Sequence, residues 1–271
     1  MIILIAKLLF IIGLPIAAAF VWNKRTRAHW YSLLFGFGAF AVNYLVRIPL
    51  DLVLPPLLDL IPLGKTPPPP LNPIVDYLVI WWGIWTYWIL QVIISGLFRE
   101  GTRWLLFRYV ATTVRMWRDG VMFGIGYGCI ATMFVTGEYV SGLAANSDLL
   151  SNSLAKTVAT LNDGFGWWET LLAAWRWGVV LTVFNVGTSL AVLFSVHRRD
   201  VRFLLTAVLV YVVFSTAPLA MLFHFPEIQL DGLDFSFVII VMTELTRLLV
   251  TLPPLWLIFR LRKTMGQVSK Q

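Results

Sequence analysis

Charge is what this sequence has least of. Only 13% of its 271 residues are Asp, Glu, Lys or Arg, about half of the roughly 25% found in soluble domains. That deficit excludes an ordinary water-facing surface. Alternation of apolar and polar residues is missing too, which excludes the strands of a membrane barrel. What remains is a chain that is 59% hydrophobic, with several continuous apolar runs near the ~20 residues a helix needs to cross a bilayer. The expected fold class is all-α, a polytopic bundle of transmembrane helices.

Cysteine and histidine are scarce. The single Cys129 permits no internal disulfide. The three histidines, His29, His197 and His224, lie in turns or near a helix end. None stands at helical spacing from a carboxylate within a span, so no zinc-type ligand set assembles from the residues alone. Ser189 and Ser215 have no histidine near enough for nucleophilic catalysis. The first apolar run has its basic residues Lys24, Arg25 and Arg27 behind it rather than ahead of it. A cleaved signal has the opposite order, so the first helix is expected to stay in place.

Seven spans are expected, at about 2–22, 30–47, 77–98, 120–137, 169–195, 203–225 and 236–259. Arg47 and the Ile48-Pro49 step mark the expected end of the second. Outer loops are expected at 50–76, with its run Pro67–Pro70, and at 138–168, which contains no arginine. The third span carries Trp81, Trp82, Trp85 and Trp88, which suit lipid contact, helix packing or a pigment or quinone site. Residues 100–118 interleave Arg103, Arg108, Arg115 and Arg118 with Leu105, Leu106 and Phe107, a pattern that predicts an amphipathic helix lying in the cytoplasmic interface.

The basic residues orient the chain. Segments 23–29, 99–119, 196–202 and the tail hold fifteen of the 21 Lys/Arg, against Lys65 and Lys156 on the other side. The positive-inside rule then puts the N-terminus outside and the C-terminus in the cytoplasm. It also accounts for the net charge of +7 without nucleic acid. The expected partners are the lipid bilayer and other membrane proteins, and the expected location is a bacterial inner membrane.

Charges inside spans cost roughly 2.5–3.5 kcal/mol each on insertion scales, so each needs an explanation. Glu244 and Arg247 are three apart on one helix face, which suits an internal ion pair or a substrate or proton path. Arg176 and Arg47 have no sequence-near partner, and Arg47 can snorkel to headgroups. Glu100 lies between Arg99 and Arg103 and can pair locally. Gly120, Gly124 and Gly128 repeat every four residues, a ridge of small residues that lets another helix approach closely. A phosphate-binding glycine loop is excluded, because no strand precedes these glycines and no Lys-Ser/Thr follows them.

Several of these pieces together resemble the YhfC-type intramembrane metalloproteases, a branch of the CAAX-protease-like superfamily. They are Gly13-Leu14-Pro15-Ile16, Arg47-Ile48-Pro49-Leu50, Gly96-Leu97-Phe98-Arg99-Glu100-Gly101-Thr102-Arg103, and Phe123-Gly124-Ile125-Gly126-Tyr127-Gly128. Asn185-x-x-x-Ser189 and Tyr211-x-x-x-Ser215 fit in outline. The resemblance implies a membrane-buried metal held by glutamates and histidines, with an activated water. It also implies that the family's paired glutamates fall at Arg99 and Glu100, its next histidine at Tyr127, a further glutamate at Ala131, and later histidines near Asn185 and Tyr211. Only Glu100 is a ligand type. The expectation is therefore a degenerate site with no catalytic metal and no cofactor, in a scaffold or accessory subunit of a membrane complex. A divergent protease and a small-molecule, lipid or pigment binder or transporter are the alternatives.

Overall fold

The computed structural model describes residues 2–58, 73–145, 174–224 and 235–268, with side chains for 11–49, 52, 86, 88–134, 175–176, 178–216 and 245–262. No strand occurs among the described residues. The helices are α1 (Ile2–Thr26), α2 (Trp30–Leu58), α3 (Pro73–Leu105), α4 (Trp117–Ala145), α5 (Leu181–Arg198), α6 (Val201–His224) and α7 (Phe235–Val268). Two π-helical segments, Leu106–Val110 and Ala174–Val180, follow α3 and precede α5.

Helix α4 is the axis of the bundle. Residues 120–129 are all buried, because α4 is held between α2 on one side and α5 on the other. Glycine makes both contacts possible. A Cβ on Gly124 would sit 2.5 Å from the Val186 Cα and 3.1 Å from the Asn185 carbonyl oxygen of α5. A Cβ on Gly120 would meet Leu193 and Leu190 at 2.7 and 2.9 Å, and one on Gly128 would meet the Thr182 Cα at 3.1 Å. The ridge Gly120–Gly124–Gly128 thus faces α5 along three turns. On the opposite side, Gly126 abuts the Leu33 carbonyl of α2, and Gly36 abuts the Phe123 carbonyl of α4. Backbone-to-backbone approach of this kind drives helix association where lipid removes the hydrophobic force between helices.

The outer surface is apolar. Leu34, Leu45, Leu209 and Leu249 are each more than 60% exposed, a distribution that suits lipid and not water. Two of the described stretches, Trp30–Pro49 and Gly178–Arg198, are long and apolar enough to cross a membrane, and Val201–Thr216 is a shorter apolar helix.

Several boundaries differ from the sequence reading. Helix α2 continues through Pro49 to Leu58, as prolines in membrane helices are allowed to when neighbours or local adjustment re-satisfy the backbone. Helix α4 continues to Ala145. The interfacial helix expected over 100–118 is not one element. Its first part, Glu100–Leu105, is the end of α3. The chain then widens into the π segment, closed by Ala111 N–H to Leu106 O at 2.7 Å. Residues 111–116 are not helical, and Trp117 opens α4. The reason lies in the charges. Glu100 and Arg103 are fully buried, because each finds partners inside the bundle and neither needs the interface. Arg108 and Tyr109 remain exposed. Much of the expected outer loops, the segment 225–234, the side chains of Trp81, Trp82 and Trp85, and the Glu244 side chain lie outside the described residues.

Candidate functional site

The site is built from four helices, α3, α4, α5 and α6. The one-turn spacing on α3 puts Glu100 and Arg103 on one face. Arg103 Nη1 lies 3.1 and 3.0 Å from the two Glu100 oxygens. The same nitrogen donates to Thr188 Oγ1 at 2.6 Å, and Nη2 donates to Asn185 Oδ1 at 2.6 Å. Both acceptors come from α5, three residues apart. Arg99 Nη2 also donates to Asn185 Oδ1, at 2.5 Å, and its Nε lies 3.7 Å from Glu100 Oε1. The Asn185 amide is fixed by its other end, which donates to the Leu181 carbonyl at 2.8 Å. Thr188 Oγ1 in turn donates to the Phe184 carbonyl at 3.1 Å.

Helix α4 supplies the floor. The Arg103 guanidinium stacks 3.6 Å from the centre of the Tyr127 ring. The Arg99 guanidinium lies 4.9 Å from the Tyr211 ring of α6 and 5.3 Å from that of Tyr127. Gly96 makes the room for Tyr211, since a Cβ there would stand 2.7 Å from its ring. Cation–π contacts of this kind strengthen when water is excluded. Ala131 sits one turn beyond Tyr127, buried in an apolar cluster with Leu181, Phe184 and Val210.

The positions singled out in the sequence thus come together: Arg99, Glu100, Arg103, Tyr127, Asn185 and Tyr211 share one cluster, with Ala131 beside it. Arg176 is half-buried in the π segment before α5, Arg47 is exposed on α2, and Arg247 is half-buried on α7. Thr188 was missed, although it lies on the same helix face as Asn185. His29 was also assigned no partner. It donates its backbone N–H to Asp119 Oδ1 at 3.0 Å, and its ring Nδ1 lies 3.1 Å from the same oxygen. That contact ties the α1–α2 turn to the first turn of α4.

A cavity of about 60 Å3 adjoins the cluster, among α2, α3, α4 and α6. Its polar wall is Asn43, Tyr44, Arg47, Ser95, Arg99, Tyr127 and Tyr211. No carboxylate among the described residues lines it.

A model of the YhfC intramembrane metalloprotease family matches residues 75–232, more than half of the chain and all of α3 to α6 from that point on. The chain belongs to this family. The uncharacterized membrane protein YhfC of Bacillus subtilis (strain 168) is 25% identical over 150 residues, 50% of this chain and 55% of that protein. The match therefore spans about half the length of that relative. No solved structure matches.

The family's description implies a metal, and the described residues of this cluster do not fit one. A divalent ion needs several deprotonated carboxylate, thiolate or imidazole donors. Here the one carboxylate, Glu100, has both oxygens engaged by Arg103. Arg99 places a second, permanently charged guanidinium 3.7 Å from the same group. Among the described residues no three of His, Cys, Asp and Glu gather in one place.

Proposed function

We propose that this chain is a catalytically silent member of the YhfC family. It acts by binding, as a scaffold or accessory subunit of a membrane complex. The observation that carries this reading is the Glu100 carboxylate held between Arg99 and Arg103. Two cations against one anion leave the cluster at net +1, which repels a dication in the low dielectric of the bundle interior. The positions where the resemblance would put metal ligands, Arg99, Tyr127, Ala131, Asn185 and Tyr211, instead hold one another or fill the core. The glycines around them pack α4 closely against α5 and α2. Seven spans, with the N-terminus outside and the C-terminus in the cytoplasm of a bacterial inner membrane, are part of the same reading. It is supported by the lopsided placement of Lys and Arg. Moving Arg99 and Arg103 from the interface into the bundle still leaves thirteen basic residues against two.

The apolar flanks offer the contact surface. Trp88 and Ile89 of α3, each 40% exposed, are suited to a neighbouring membrane helix. The test is gentle extraction followed by metal analysis and native mass spectrometry. Zinc well below one per chain, with a stoichiometric protein partner, is the expected result. One zinc per chain that is lost on Glu100→Gln, together with cleavage of a membrane substrate, would establish the divergent protease instead.

A further inference from the structure

The cluster leaves a positive charge without a partner, and it leaves it beside a cavity. Among the described residues, Arg99 and Arg103 are countered by Glu100 alone. The excess is one unit, whatever Arg47 contacts on the same wall. A buried net charge is costly unless something compensates it. Beside Phe40 and Phe98 the adjoining cavity is lined by hydrogen-bond donors and, among the described residues, by no carboxylate.

A second observation points into the same space. Tyr127 lines the cavity and is fully buried. Its hydroxyl has no hydrogen-bond partner, and neither has Arg99 Nε. Native interiors satisfy almost all such groups, so an orphaned hydroxyl beside polar space calls for an occupant. Water would satisfy the hydroxyl and leave the charge. An anion satisfies both. The cavity volume of about 60 Å3 corresponds to about four to six waters at ~10–15 Å3 each, which is room enough for one tetrahedral oxyanion. The site reaches the bundle surface at Arg47 and Phe98, both exposed.

We propose that the cavity bounded by Asn43, Ser95, Arg99, Tyr127 and Tyr211 binds a phosphate-type oxyanion, either as the free ion or as the headgroup of a phospholipid. Arg99 supplies the charge, and the Tyr127 hydroxyl supplies a directed donor. This goes beyond the loss of catalysis and does not depend on it. Zinc content and anion binding are read separately, so either can fail without the other.

The test uses full-length protein, delipidated in a phosphate-free maltoside. The unfolding midpoint is followed against inorganic phosphate, with chloride at equal ionic strength as control. Wild-type protein is expected to gain several degrees with phosphate, as a ligand that binds only the folded state requires. Arg99→Gln is expected to bind at least about tenfold more weakly, the loss of a charge-assisted pair. Tyr127→Phe is the second variant, chosen because it removes only an unpartnered hydroxyl. It should match or exceed wild type without phosphate and respond at most half as strongly with it. If phosphate has no effect, native mass spectrometry after reconstitution with phosphatidylglycerol or phosphatidylcholine distinguishes the headgroup. Retention of the anionic lipid by wild type, but not by Tyr127→Phe, assigns the site to a lipid. Neither response in wild type, or equal responses in the variants, overturns the proposal.

Discussion

Arg103 bridges both oxygens of Glu100 with a single nitrogen, at 3.0 and 3.1 Å, and neither side chain touches solvent. A buried pair of this kind is weak evidence for stability as such, because desolvation offsets much of the attraction. Removing one partner is another matter. Glu100→Gln leaves two uncompensated guanidiniums in the bundle and is expected to cost about 3–5 kcal/mol. The double variant Glu100→Gln/Arg103→Met has the same net +1 as the wild-type cluster and should recover more than half of that loss. A double-mutant cycle on unfolding midpoints in detergent checks it. Additive effects would mean that the pair is not coupled.

The glycine contacts give a graded prediction. Gly124→Ala puts a methyl group against the Val186 Cα, which is backbone and cannot move aside. Overpacking of this sort costs roughly 1–3 kcal/mol. Gly120→Ala meets only the ends of Leu190 and Leu193, which can rotate, so its cost should be smaller. Gly13→Ala on α1 meets nothing within 4 Å and should be neutral, or stabilising by up to about 0.5–1 kcal/mol, since alanine is the better helix former. Thermal midpoints of the three single variants should fall in that order. A destabilised Gly13→Ala protein would show that the effect is general and not one of packing at α5.

How much of this was legible in the chain depends on how local each contact is. The four-residue repeat Gly120–Gly124–Gly128 and the three-residue step Glu100–Arg103 are helix-surface geometry, and the sequence states both. That the ridge meets α5, and that Asn185 and Thr188 complete the cluster from more than 80 residues away, is tertiary information that no local pattern carries. The same limit explains the error over 100–118. A string of arginines among leucines reads as an interface helix when each charge is assigned to water. Here Arg108 stays outside, Arg115 and Arg118 are half-buried, and Arg103 is taken in. The partners decide, and the partners are distant in sequence.

Asp119 should matter more than the histidine it holds. The carboxylate is 2% exposed and takes both the His29 backbone N–H and its ring, whereas the His29 side chain is 47% exposed. Asp119→Ala strands a backbone donor and removes an acid from the first turn of α4, where the helix dipole favours it. The expected loss is about 1–3 kcal/mol. His29→Ala keeps the backbone bond and should lose less than half as much. Equal losses would place the weight of the contact on the imidazole. Proteolysis at the α1–α2 turn, slow in wild type and faster in Asp119→Ala, gives an independent local reading.

If the metal site has been lost through its ligands and not through its frame, restoring ligands should bring metal back. The frame is present: residues 99, 100, 127 and 185 already surround one point, held by α3, α4 and α5. Arg99→Glu changes the net charge of the cluster from +1 to −1. Tyr127→His adds an imidazole at the position now under the Arg103 guanidinium. With Glu100, that makes three protein ligands, enough for an open zinc site of the His and carboxylate type. The double variant is expected to bind close to one zinc per chain, with tightness rising as pH increases and the ligands lose protons. Either single variant should bind far less. Arg103 will compete for Glu100 in the double variant, so Arg103→Gln added as a third change should tighten zinc further. Metal analysis after dialysis against a weak chelator measures this directly. If the triple variant folds and still holds no zinc, the cluster never had the geometry of a metal site. The family resemblance at these positions would then be one of packing alone.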